Sequence, residues 1–221
     1  MIILEGRGYL LEIVYFEKLD STHKFLLKKL KSKEYKAPIM IVANNQEDGV
    51  GTHTNKWISL EGNLFLSLCI KKDELPKDLE LQSTSIYFAY LLKEVLEERG
   101  SKVWLKWPND FYINKKKIGG VLSTIVGKNI IVSIGLNIKK APPKFELLDI
   151  NIEKSELIKL FILNLKSKKS WAVIFKKYRV EFEKSKLFNV RVKDTKVSLK
   201  SATLLEDGSI KIENRRVYST R

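Results

Sequence analysis

Apolar positions along the chain follow two rhythms. Residues 10–17 alternate as a strand does, and Asp20-Ser21-Thr22 follow with hydroxyls suited to capping a helix that carries Phe25, Leu26, Leu27 and Leu30 on one side. Residues 39–43 form an uninterrupted apolar run, which reads as a buried strand. A polar loop punctuated by glycine, 44–63, leads to a second such run at 64–70. Residues 79–99 repeat apolar side chains at helical spacing and stop at Gly100. Short strands are expected at 103–106, 118–126 and 130–136, the last two joined by Gly127-Lys128-Asn129 in a hairpin-like turn. Helical spacing returns at 155–166 and 171–186. After Phe188 the pattern changes to short alternating strands with an Asp207-Gly208 turn. The pattern predicts an α/β fold: a mixed β-sheet with helices over residues 1–187, and a small C-terminal β domain at 188–221.

At 221 residues such a chain can bury a substantial core without metal or disulfide support. Its lone Cys69 lies inside an apolar run, as expected of a packed, reduced thiol in a reducing cytoplasm. Glu5, Arg7 and Glu12 interrupt the N-terminal apolar residues, so no signal peptide is expected there. No apolar stretch reaches the roughly 18 residues that span a membrane. The expected location is therefore cytoplasmic, with no membrane partner. The net charge of +15 raises the alternative of a basic nucleic-acid-binding module. Only seven of the 41 basic residues are arginine, however, and the lysines mix with 26 acids rather than forming a block. That pattern favours solvated lysine faces, which also steer acidic partners. His23 and His53 have no ligand-like spacing to Cys or Glu, so no metal site is expected, and no nucleophile elbow supports a Ser-His-Asp hydrolase.

Three segments carry candidate chemistry. In Lys106-Trp107-Pro108-Asn109-Asp110, the proline restricts both itself and Trp107, making a rigid polar corner. Lys115-Lys116-Lys117-Ile118-Gly119-Gly120 then brings a cation into a strand beside two glycines that let a ligand come close. A solvated turn with a lysine triplet is the plainer reading of the same residues. In the long polar loop, Gly49 and Gly51 permit amides to face an anion and Trp57 offers an aromatic face. Gly135-Leu136-Asn137 ends an apolar strand on a polar residue.

In order and spacing, Asp20-Ser21-Thr22, the loop from Gln46 to Trp57, Gly62-Asn63-Leu64, KWPND, KKIGGVL and Gly135-Leu136-Asn137 together resemble the catalytic domain of bacterial biotin protein ligases. The resemblance spans roughly residues 13–137. It implies a catalytic domain like those of class II aminoacyl-tRNA synthetases, and a two-step reaction. Biotin attacks the α-phosphate of ATP, with magnesium, to give biotinyl-adenylate; an acceptor lysine, as on a biotin carboxyl carrier protein, then takes the biotinyl group. By the same resemblance Lys117 contacts the biotin carboxylate and the adenylate phosphate, and Asp110 orients either Lys117 or the acceptor amine. Ser21, Thr22, His23, Gln46, Val50, Gly51 and Thr52 fall at biotin-binding positions, and Gly49, Asn55, Trp57, Asn109, Gly120 and Asn137 at adenylate positions. A lipoate or octanoate transferase is the near rival, and a catalytically inactive binding paralogue a further one. Gln46 and the KWPND corner favour biotin, because a ureido ring needs directional partners.

Two departures stand out. The family loop Gly-Arg-Gly-Arg-Arg-Gly-Arg-x-Trp is here Gly49-Val50-Gly51-Thr52-His53-Thr54-Asn55-Lys56-Trp57, with all four arginines replaced, and Ser-Thr-Asn is Ser21-Thr22-His23. Only about a dozen residues precede the first family strand, leaving no room for the winged helix-turn-helix of regulatory members, so no specific DNA partner is expected. A homodimer is slightly favoured over a monomer. Each missing charge-assisted contact to phosphate is worth roughly 1.5–3 kcal/mol. The adenylate should consequently be held loosely, and rapid filtration should show it leaving quickly; a tightly retained, slowly leaking adenylate would contradict this.

Overall fold

The computed structural model describes residues 2–6, 9–51, 56–192 and 195–218. Its framework is an eight-stranded sheet. The chain begins with β1 (Ile2–Gly6), paired antiparallel with β2 (Tyr9–Leu19). Helix α1 (Thr22–Lys31) then returns the chain to β3 (Ile39–Gln46), which lies parallel to β2. A two-stranded ribbon, β4 (Gly49–Val50) and β5 (Lys56–Trp57), rises from the loop before β6 (Leu64–Lys71). Helix α2 (Thr84–Glu98) leads to β7 (Trp104–Lys106), β8 (Asp110–Ile113), β9 (Lys116–Val126) and β10 (Asn129–Leu136). The strand order is β1-β2-β3-β6-β10-β9-β8-β7, and only the β2/β3 pair is parallel.

Strand alternation divides the apolar residues between two faces. Leu64, Leu66, Leu68 and Ile70 of β6, with Ile130, Val132, Ile134 and Leu136 of β10, enter the large core beneath α2, α3 (Lys154–Lys166) and α4 (Trp171–Ser185). The intervening Cys69 and Ile131 face the other way and join Leu26 of α1, Ile39 and Ile41 in a smaller cluster. Ser67 and Ser133 also interrupt these strands at buried or half-buried positions, and they sit opposite one another in the β6/β10 register.

The five strands of 189–217 complete the described chain: β11 (Asn189–Val192), β12 (Thr195–Ser198), β13 (Thr203–Leu204), β14 (Ile210–Ile212) and β15 (Arg215–Val217). Leu199, Ala202, Ile210 and Ile212 pack into the large core. The indole N–H groups of Trp107 and Trp171 donate to the carbonyls of Gly208 (2.9 Å) and Glu206 (2.8 Å). Gly208, at φ +77, fits under Ser83, and an added Cβ would lie 2.6 Å from its Oγ.

The mixed α/β architecture, both long apolar strands and the four helices agree with the sequence reading. Four features correct it. Strand β1 was not expected, and α2 starts at Thr84 after a 3-10 turn, Leu81–Ser83, rather than at 79. Part of the loop at 44–63 is ordered, since β3 runs on to Gln46 and β4/β5 form a ribbon. Asp110 lies not in a turn but at the head of β8, whose alternating buried Phe111 and Ile113 carry a strand signal that the Pro-Asn-Asp turn residues obscure. Cys69 is fully buried, and burial, together with the nearby Glu74 charge, pushes its thiol up to about 12, which leaves it a packing group.

Because Ile210 is buried in the common core, Ile210→Ala should cost about 2–5 kcal/mol. Urea unfolding followed by fluorescence and circular dichroism should show the loss in one cooperative transition. A separate early transition of the C-terminal strands would show that they do not share the core's stability.

Candidate active site

The thinner face of the sheet holds two adjoining cavities. The smaller has about 480 Å³ of empty space, partly open to solvent, between the start of α1, the end of β3, the ribbon and β9/β10. The larger, about 820 Å³, lies beyond the ribbon between Lys56, Trp57, Asn137 and Phe145. Gly51, Trp57 and Lys117 border both.

Lys117 stands at this junction. Its Nζ is 2.6 Å from Asp110 Oδ1, and the two side chains are 25% and 17% exposed, so the ammonium is neither buried away from a ligand nor free in bulk water. The ammonium also lies 6.0 Å from the centre of the Trp57 ring. The β8/β9 register places Gly120 opposite Asp110, and a Cβ there would come within 3.2 Å of Asp110 Oδ1 and 3.5 Å of Lys117 Nζ. Glycine thus keeps the space around the ion pair clear. A second ammonium, Lys106, reaches Asp110 Oδ2 at 3.8 Å from a buried position, where burial lowers its pKa, the neighbouring Asp110 opposes that, and Lys117 adds to it.

The corner ahead of this pair is fastened on every side. The Trp107 backbone N donates to Ser185 Oγ at 3.0 Å. The Asn109 carboxamide donates to the Val121 carbonyl, and the Asn109 carbonyl accepts from Val121 N at 2.9 Å. Asn109 therefore borders the smaller cavity with its amide committed to holding the corner.

At the other end, Ser21 caps α1, its Oγ accepting from Lys24 N at 3.4 Å. Gln46 Oε1 accepts from Thr22 N (2.8 Å) and Thr22 Oγ1 (3.1 Å), while Gln46 Nε2 donates to Ser59 Oγ (3.1 Å). His23 is buried with Nδ1 2.8 Å from Ser133 Oγ and Nε2 3.4 Å from Thr124 Oγ1, and burial lowers its pKa to about 4.

The ribbon closes over this pocket. Gly49 faces Trp57 across it, and a Cβ at Gly49 would meet the Trp57 carbonyl at 2.7 Å. Trp57 lies on Gly135, where a Cβ would be 2.7 Å from the indole. Its Nε1 is buried against Gly135 without a hydrogen-bond partner among the described residues. Asn137, fully buried, is held by Asn63 Nδ2 (3.4 Å) and donates to the Glu146 carbonyl (3.3 Å) on the wall of the larger cavity.

Thus Ser21, Thr22, His23, Gln46, Val50, Gly51, Trp57, Asn109, Asp110, Lys117 and Gly120 share the smaller cavity, with Asn137 across the junction, and Gly49 directly behind Trp57. Thr52 and Asn55 lie outside the described residues. The sequence reading named Lys106 and Lys56 within their motifs without giving them a role, and did not single out Ser133 or Phe145. A serine breaking an apolar strand was the available signal for Ser133; nothing local marked Phe145.

A model of the biotin/lipoate A/B protein ligase family matches residues 15–140. The chain belongs to that family. It is also similar to the biotin acetyl coenzyme A carboxylase synthetase of Helicobacter pylori, solved with bound biotinylated ATP: 40% identity, 94% of this chain and 99% of that one covered, TM-score 0.90. The biotin protein ligase of Aquifex aeolicus in complex with biotin and ATP is 25% identical, with 94% of each chain covered and a TM-score of 0.72. Among curated relatives, the bifunctional ligase/repressor BirA of Bacillus subtilis is 30% identical over 152 residues, covering 65% of this chain and 46% of the relative. The chain thus spans about half the length of the curated relatives it matches.

His23 yields a pH prediction. Its folded pKa, about 4, lies below the ordinary value of 6.5, so between these values the unfolded chain binds a proton that the folded chain does not. Its contribution is complete above pH 6.5 and is lost as pH falls towards 4, at up to about 1.4 kcal/mol per pH unit. Urea midpoints measured across pH 4–7 should fall along this slope, and His23→Asn should flatten it; an unchanged slope would refute the assignment.

Proposed function

We propose that this protein is a biotin protein ligase, joining biotin to ATP as biotinyl-5'-AMP and passing the biotinyl group to a lysine of a biotin carboxyl carrier domain. The observation that carries the reading is the placement of Lys117 Nζ, 2.6 Å from Asp110, where a small cavity rich in hydrogen-bonding groups meets a larger one with aromatic walls. Biotin's carboxylate would lie in the first and the nucleotide in the second, so the two anions would meet at the ammonium. The kinship with the Helicobacter pylori synthetase supports the choice of biotin over lipoate within the family.

The chemistry follows from that placement. A carboxylate oxygen forms a bond to the α-phosphorus as the bond to the bridging oxygen breaks and pyrophosphate departs. Lys117 offsets the repulsion between the anions and stabilises the charge that builds on the phosphoryl oxygens. In the second step the acceptor amine bonds to the acyl carbon and AMP leaves. Asp110, bracketed by Lys117 and Lys106, is positioned to orient Lys117 or the incoming amine. Trp57, which borders both cavities, would offer its ring to the ligand.

Magnesium would enter as the counter-ion of the ATP phosphates. The described residues contain no group of three or more His, Cys, Asp or Glu able to hold a metal, so no step is assigned to a protein-bound ion. No helix among the described residues is long and apolar enough to cross a membrane.

Incorporation of labelled biotin into a carboxyl-carrier domain, with ATP and magnesium, tests the reading. Wild type should label the carrier, and Lys117→Ala should lose adenylate formation by about a hundredfold or more, the scale of removing one preorganised charge-stabilising donor. Undiminished labelling by Lys117→Ala would overturn the role of Lys117, and failure of the wild type to label any carrier would overturn the function.

A further inference from the structure

We propose that His23 determines ligand specificity in the smaller cavity by fixing the direction of a buried chain of hydroxyls, so that Thr22 and Ser133 face the ligand as hydrogen-bond acceptors. The proposal rests on the ligase reading above and names how that site would select a cyclic urea.

The direction of the chain follows from where hydrogens exist. The Thr22 backbone N–H meets Gln46 at 2.8 Å, and only the amide oxygen can accept it, so the carboxamide orientation is set. Thr22 Oγ1 lies 3.1 Å from the same oxygen and must give its single hydrogen there. Ser67 Oγ, 2.9 Å from Thr22 Oγ1, therefore donates to it. Ser133 Oγ, 2.7 Å away and opposite Ser67 in register, then has to donate to Ser67. With the Ser133 hydrogen spent, the 2.8 Å contact to His23 is a bond only if Nδ1 carries a hydrogen. The neutral ring is thus the Nδ1–H tautomer, with bare Nε2 facing the Thr124 hydroxyl at 3.4 Å. The other tautomer would make Ser133 donate to the ring and leave the chain one hydrogen short.

The consequence falls on the cavity wall. Thr22 and Ser133 can offer it only lone pairs. Ser21 Oγ, which accepts from Lys24 N, keeps its own hydrogen, and Gln46 Nε2 has a second hydrogen beyond the one given to Ser59. Acceptors and donors in that arrangement match a ring that brings two N–H groups and one carbonyl. An aliphatic acyl chain would leave them unpaired. An asparagine in place of His23, as in the family pattern, also has an N–H to start the chain.

The test is made on the full chain. Histidine side-chain nitrogen NMR, with the second signal assigned through His53→Gln, should show His23 protonated at Nδ1. His23→Leu should raise the KM for biotin about tenfold or more, the scale of an unsatisfied buried polar group, with the KM for ATP unchanged. His23→Asn should recover most of that loss. An Nε2–H tautomer, an unchanged KM for biotin in His23→Leu, or equal losses for biotin and ATP would each overturn the proposal. Should the leucine variant fail to fold, the tautomer in the wild type decides. A wild type that uses no biotin would instead count against the ligase reading, with the tautomer still deciding the direction of the chain.

Discussion

The site depends on one contact, the Lys117 ammonium held 2.6 Å from Asp110 at the mouth of two cavities. As a source of stability the pair is minor, because both side chains are partly solvated and such ion pairs contribute at most about 1 kcal/mol. Its worth is positional. A lysine side chain is long and flexible, and an unpaired one would sweep through solvent; the carboxylate confines it to the junction of the two cavities. Asp110 in turn is confined by β8, by the missing side chain of Gly120 and by a second cation, Lys106.

Confinement of that quality needs a rigid support, and the sheet supplies it through division of labour between its faces. One face buries the large core under α2, α3 and α4, where polar interruptions would be costly. The other carries only the small cluster under α1, which leaves room for Ser67, Ser133 and Gly135. Site residues therefore alternate with core residues along the same strands. A change that slips the register by one residue would place the core leucines in the cavity and the serines in the core.

Much of this was legible in the sequence because periodicity reports burial. The continuous apolar runs at 39–43 and 64–70, the capping hydroxyl at Ser21 and the glycine pair at 119–120 each have a local physical cause, and each lies where that cause requires. The less visible features depend on pairing. β8 was hidden because its first residue, Asp110, is also the last of the Pro-Asn-Asp run that signals a turn. The hydroxyl chain joins residues near 22, 67 and 133, whose proximity comes from cross-strand register rather than from spacing along the chain. Lys106 showed itself as part of a motif but not as a buried cation, since burial of a β7 side chain depends on what α4 places against it.

The ribbon over the cavity shows how a lysine-rich chain accommodates the loss of arginine. Asp48 binds both Lys24 of α1 and Lys56 of the ribbon, so the charge available in these described residues is spent on holding the ribbon to the helix. Arginine would have offered a planar fork able to grip phosphate and still stack on Trp57, whereas an ammonium is a point charge with no such second use. On the ligase reading proposed above, the burden of meeting the phosphate would then shift to Lys117, at the junction of the cavities, and to the backbone at Gly51. On that reading the arrangement would still favour charge building up at the junction of the cavities, where Lys117 is fixed, while gripping less of the nucleotide away from it. Assistance to the reacting atoms would thereby be separated from retention of the intermediate.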